Sequence, residues 1–227
     1  MAPQPLRIPV SDASADVSGL LLLPPGARVL YVLAHGAGAG MRHPFMERIA
    51  ATLGERRVAT LRYQFLYMEK GQRRTDPPAV AVAVVRAAVA AAGRAAPGLP
   101  LIAGGKSFGG RMTSTAQSQA ALPGIAGLAF LGFPLHPPGK AGVTRADHLA
   151  QIEIPMLFVQ GDRDDFADPI LLRQVLRKLG GRATLHGVRG GDHSFNVLKR
   201  TGRSAEDVQA ELGDALAHGG SGVRSSA

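Results

Sequence analysis

The sequence predicts an α/β domain of three layers, a mostly parallel central sheet with helices on both faces. Two observations carry this. Short apolar runs alternate with helix-length amphipathic stretches along most of the chain. The central runs, such as Val29–Ala34 and Ile125–Leu131, are continuously apolar rather than alternating, which is the pattern of strands buried on both faces.

Taken in order, Leu6–Val10 and Gly19–Leu23 read as a leading hairpin. Val29–Ala34 is a strand and Pro44 to Leu53 a helix. Val58–Arg62 is the next strand, and Ala79–Ala92 a packed helix interrupted by Arg86. Leu101–Gly104 is a strand running directly into a helix from Phe108 to about Ala120. Ile125–Leu131 and Pro155–Gln160 are further strands. Pro169–Leu179 is a helix, Ala183–Val188 a strand and Ala205–Ala217 the closing helix. Between Leu131 and Pro155 the chain holds Pro134, Pro137, Pro138 and Gly139 with room for one short helix, so no large cap domain is expected. We expect a single domain over 1–217 and a disordered, Gly/Ser-rich tail over 218–227.

Composition bounds the rest. The 227 residues are 45% hydrophobic and 19% charged, a globular balance. No cysteine is present, which excludes disulfides, thiolate metal sites and a cysteine nucleophile. The net charge of +9 raises nucleic-acid binding as an option. Its bases are scattered in pairs such as Arg56-Arg57 and Arg73-Arg74, without interleaved aromatics, so no specific nucleic-acid site is expected. No leader or spanning segment is read from the sequence, and a cytoplasmic location is expected.

The chemistry-bearing motif is Gly105-Lys106-Ser107-Phe108-Gly109, which fits G-x-S-x-G. The pattern alone is common. Here it lies between a predicted strand and a predicted helix, the setting in which a serine is lifted to the apex of a sharp turn. Side chains two positions either side would collide, hence the glycines. Ser107 acting only as a helix cap is the alternative.

A serine needs a base and an orienting acid. Strand Pro155–Gln160 ends in Gly161-Asp162-Arg163-Asp164-Asp165, and strand Ala183–Val188 ends in Arg189-Gly190-Gly191-Asp192-His193. Asp164 is the preferred acid, with Asp162 and Asp165 as alternatives. Asp168, before Pro169, reads as a helix cap. His193 is the candidate base, and Asp192 a loop brace. Strand Val29–Ala34 ends in His35-Gly36-Ala37-Gly38-Ala39-Gly40-Met41. A glycine-rich turn there can aim backbone N–H groups at an oxyanion, which assigns the hole to Ala37 and Phe108, with Gly38 as a possible helper. His35 is read as a brace. Spacings for a phosphate loop or a metal site are missing, so no cofactor and no metal are expected.

The Tyr63–Gly71 stretch is open between two readings. Phe65, Leu66, Tyr67 and Met68 could line an acyl surface, or the stretch could be a packed loop. Glu69 is a candidate partner for Lys106. With Gly38 and Met41, Phe65 and Met68 form the candidate substrate-binding set.

These motifs jointly resemble the α/β-hydrolase superfamily. They are His35-Gly36-Ala37-Gly38, Arg62 to Gly71 with Asp76-Pro77-Pro78, Gly105 to Arg111, Gln160 to Asp164 and Asp192 to Phe195. Within it, the chain resembles the small, lid-poor, dienelactone-hydrolase-like branch that includes a testis-expressed hydrolase-like protein and a subunit of the non-specific-lethal complex. The resemblance spans about Val29 to Leu216 and implies a Ser107–Asp164–His193 triad acting on a small ester or thioester. The chain departs from the branch's common pattern at Gln64 and Asp165. The competing reading is a non-catalytic interaction scaffold on the same fold. Oligomeric state is not legible.

Overall fold

The computed structural model describes residues 1–10 and 15–222. Eight strands form one sheet in the order β1-β2-β4-β3-β5-β6-β7-β8. β1 (Gln4–Val10) and β2 (Ala15–Leu22) pair antiparallel, and β2 pairs antiparallel with β4 (Val58–Tyr63). From β4 onward the pairs are parallel: β3 (Val29–Ala34), β5 (Leu101–Lys106), β6 (Ile125–Leu131), β7 (Met156–Gly161) and β8 (Ala183–Val188).

The continuous apolar strands sort their side chains by the two-residue period. In β3, Leu30, Val32 and Ala34 face one layer and Val29, Tyr31 and Leu33 the other. The first layer is completed by α3 (Pro78–Ala95), α4 (Phe108–Gln119) and α5 (Pro169–Leu179). The second is completed by α1 (Pro44–Glu55) and α6 (Ala205–Gly222), through Met46, Ile49, Leu53, Val208, Leu212 and Leu216. α3 is long and apolar enough by composition to cross a membrane. Its Val84, Val85, Ala88 and Val89 are instead buried in the first layer.

Several boundaries differ from the sequence expectation, among them the start of β2 at Ala15 rather than Gly19 and the end of α3 at Ala95 rather than Ala92. β5 continues through Gly105 and Lys106, because both keep their register with β6 up to Leu131. A one-turn helix, α2 (Leu66–Glu69), follows β4. The closing helix passes Ala217 and runs to Gly222: His218 Nδ1 bonds to Asp214 O at 2.7 Å, and Gly219 lies against Leu157. Residues 218–222 are thus helical rather than tail, while 223–227 lie outside the described residues. The Leu131–Met156 connection holds only a 3₁₀ segment, Thr144–Gln151, and no cap domain. The carboxyl ends of β3, β5, β7 and β8 therefore open on one sheet edge, where ligands bind in open α/β sheets.

Candidate active site

β5 ends at Lys106, α4 begins at Phe108, and Ser107 makes the whole turn between them with φ 49° and ψ −113°. A non-glycine residue at positive φ costs of order 1–3 kcal/mol and persists only where its surroundings enforce it. The enforcement is visible. The Ser107 N–H donates to Leu131 O at 3.0 Å. A Cβ on Gly105 would stand 2.2 Å from Ala34 O, and one on Gly109 2.6 Å from both Ala34 Cβ and His35 O. β3 and the elbow therefore approach as closely as backbones can.

His193 Nε2 lies 2.9 Å from Ser107 Oγ, and His193 Nδ1 lies 2.7 Å from Asp164 Oδ2 and 2.9 Å from Oδ1. A carboxylate only accepts, so Nδ1 carries the proton and Nε2 is left to accept the serine hydroxyl. The Asp164 side chain is fully buried. It also accepts from Gln160 Nε2 at 2.6 Å and from Phe166 N at 2.8 Å. The other candidate acids do other work. Asp162 accepts from Gly190 N at 2.8 Å, Asp165 is exposed, and Asp168 caps α5 through Ile170 N and Leu171 N. Asp192 braces the His193 loop by accepting from Ser194 N and Asn196 N.

Three contributors to this arrangement escaped the sequence. Gln160 holds Asp164 from one strand turn back. Phe166 stacks on the His193 ring at 4.2 Å. Lys106 Nζ donates to His193 O at 2.6 Å and sits 5.4 Å above the Phe195 ring. Burial lowers the Lys106 pKa to about 8, opposed by the nearby Asp164 and Asp192 charges. Gln160 and Phe166 do flank the acid in sequence, but contact with His193 or Asp164 is a tertiary fact that spacing does not encode.

The expected pairing of Lys106 with Glu69 does not form. Glu69 lies on the β2 side, where it accepts from Arg7 Nη1 at 2.8 Å, Ser18 N at 3.0 Å and Ser18 Oγ at 2.8 Å.

The 35–41 loop follows β3 and passes beside the elbow. His35 is fully buried; its Nδ1 bonds to Gly36 O at 2.7 Å and its Nε2 accepts from Phe65 N at 3.2 Å. Burial drops its pKa to about 4, so the ring is a neutral brace. Gly38 N donates to Tyr67 Oη at 2.9 Å, which commits that N–H elsewhere than to an oxyanion. Met41 is clamped on both sides: its N–H donates to Gln64 Oε1 at 2.8 Å, and its carbonyl accepts from the buried Arg62 at 3.0 Å. Ala37 lines the cavity with Ser107. Phe108 is the first residue of α4, where the N–H has no carbonyl within the helix to bond.

The cavity at Ser107 measures about 450 Å³, and Ala37, Phe45, Met46, Phe166 and His193 are among its walls. Gly38, Met41, Phe65 and Met68, the sequence-derived substrate set, are outside that wall. Phe65 is fully buried, 5.0 Å from the His35 ring and 5.2 Å from the Phe108 ring. Met41 is buried as well, and Met68 packs against Gly40 and the core. The Tyr63–Gly71 stretch is thus a packed support under the 35–41 loop, because its aromatic residues turn inward. The wall comes instead from the start of α1 and from the acid loop.

Solved structures similar to this one include three of bacterial hydrolases or their homologues. A serine hydrolase homologue from Coxiella burnetii shares 18% identity at TM-score 0.75, over 96% of this chain and 97% of that one. A lidless serine hydrolase from Xanthomonas campestris shares 21% at 0.73, over 96% and 94%. A dienelactone hydrolase from Anabaena variabilis shares 17% at 0.73, over 96% and 97%. The family model for the alpha/beta hydrolase domain matches residues 27–218. With most of its length matched, this chain belongs to the alpha/beta hydrolase domain family.

Proposed function

We propose that the protein is a serine hydrolase of small esters or thioesters working through an acyl-enzyme. The observation that carries this is the unbroken hydrogen-bond path from Asp164 through His193 to Ser107, whose hydroxyl stands on a strained turn at the mouth of a cavity. Ser107 Oγ attacks the acyl carbon while His193 Nε2 takes its proton. Asp164 holds the resulting imidazolium. The N–H groups of Ala37 and Phe108 receive the oxyanion. As the tetrahedral species collapses, the bond from the acyl carbon to the leaving oxygen or sulfur breaks, and His193 returns the proton to that atom. Water then repeats the sequence, releasing the acid and restoring Ser107. The reaction needs neither metal nor cofactor.

By the resemblance of the motifs from His35 to Phe195, the proposal extends to membership of the lid-poor testis-expressed and non-specific-lethal-complex branch, and a cytoplasmic setting is proposed with it. A fluorophosphonate probe tests the enzymatic reading. Wild type should label and Ser107→Ala should not. A well-folded wild type that fails to label would instead favour a scaffold.

A further inference from the structure

The ionisable side chains that wall the Ser107 cavity are His43, Arg48, Lys106 and His193; among the described residues no carboxylate joins them. The neutral polar members, Ser194 and Asn196, add hydrogen-bonding capacity. Among the described residues, Arg48 is the only arginine in that wall. Arg56 pairs with Asp214, Arg203 with Glu211 and Arg7 with Glu69. Arg48 is exposed on α1, and among the described residues its guanidinium makes no hydrogen bond or ion pair. A planar guanidinium without a protein partner, set in a cavity wall, matches a carboxylate in shape and charge. His43 adds to it. Its Nδ1 accepts from Phe45 N at 3.2 Å, so in the neutral ring Nε2 carries the proton and is a donor. Lys106 supplies a second positive group on the inner wall, partly balanced by Asp164 and Asp192. Phe45, Met46 and Phe166 give the remaining wall an apolar surface for a short hydrocarbon.

We propose that this site prefers esters or thioesters that carry a second, anionic group of the carboxylate type, and that Arg48 is the residue that recognises it. The proposal rests on the serine-hydrolase reading and narrows its substrate class. A cavity of this size with basic walls favours the charged member of a pair of substrates that differ by one carboxylate, because the anion replaces water around an exposed arginine that makes no ion pair among the described residues.

The test compares matched esters. Mono-4-nitrophenyl glutarate is set against 4-nitrophenyl butyrate for charge on the acyl part. 4-(Butyryloxy)benzoate is set against phenyl butyrate for charge on the leaving part. In wild type, one pair should show kcat/KM roughly tenfold higher for the anionic ester. In Arg48→Gln that ratio should fall toward one, mainly through KM. Ratios at or below one in both pairs, or a ratio that Arg48→Gln leaves in place, overturn the proposal. If no ester turns over although Ser107 labels with the fluorophosphonate, protection decides: glutarate should slow labelling of wild type but not of Arg48→Gln, and equal rates overturn the proposal. Absence of labelling in folded wild type defeats the hydrolase reading itself, an outcome separate from the others.

Discussion

The two loops that meet above Ser107 are anchored in opposite ways. The 35–41 loop is anchored inward. His35, Gly38 and Met41 each bond to groups of the 62–67 segment, and His35, Arg62, Phe65 and Tyr67 are buried. The 189–196 loop relies more on bonds at the surface. Asp192 collects the N–H groups of Ser194 and Asn196, and Phe195 sits at φ 64°. Its ties to the body include Lys106 on the His193 carbonyl, Asp164, Ser107 and Phe166 on the ring, Asp162 on Gly190, Arg163 N on Gly191 O, Arg203 on the Arg189 carbonyl, and Phe45 stacked on Phe195. Buried bonds cannot be replaced by water when broken, while exposed ones can. Damage to the first loop should therefore appear as lost stability, and damage to the second as lost turnover.

The hardest way to break this contrast is Gly109→Ala. Its Cβ would press on Ala34 and on the His35 carbonyl, both backbone-fixed at the root of the first loop. We expect at least about 4 kcal/mol of destabilisation or failure to fold, read by urea unfolding. Unchanged stability would show that the first loop yields.

Acid titration is the next largest effect. Above pH 6.5 His35 is neutral in both folded and unfolded chains, so it contributes no pH dependence. Below 6.5 the unfolded chain takes up a proton that the folded protein refuses until about pH 4. Stability should fall across that window by up to about 3 kcal/mol. The slope of unfolding free energy against pH should be shallower in His35→Asn. Equal slopes would remove His35 from the account.

Lys106→Met is the smallest in free energy and the most diagnostic. It deletes the donor to the His193 carbonyl. Turnover of a neutral chromogenic ester should drop about tenfold through misplacement of the base, with the melting temperature shifted by only a few degrees. A large melting shift with intact turnover would reverse the contrast between the loops.

Much of this was legible from residues. The boundaries of β3 and β6 follow from continuous apolar runs, and those of α5 and β8 from the flanking Asp168-Pro169, Gly180-Gly181 and Gly190 signals. Ser107, Asp164 and His193, which the structure brings within hydrogen-bond reach, each follow the carboxyl end of a strand. The Asp168 cap was readable because a carboxylate directly before Pro169 has the first-turn N–H groups of a helix to serve. The substrate set was misassigned for an equally physical reason. Phe65 and Met68 follow a strand that ends on the active edge, so sequence distance puts them near the pocket. Which way an aromatic turns after a strand is decided by what it can pack on, and Phe65 found His35 and Phe108.

The sequence by itself determined the layered fold, the elbow at Ser107 and the identity of the charged groups at the strand ends, because periodicity and glycine placement are local constraints. Only the tertiary structure decided which acid reaches His193, where Glu69 and Lys106 find their partners, and which side chains wall the cavity. Those outcomes depend on distances of a few ångströms between segments far apart in the chain, and spacing along the chain does not specify them.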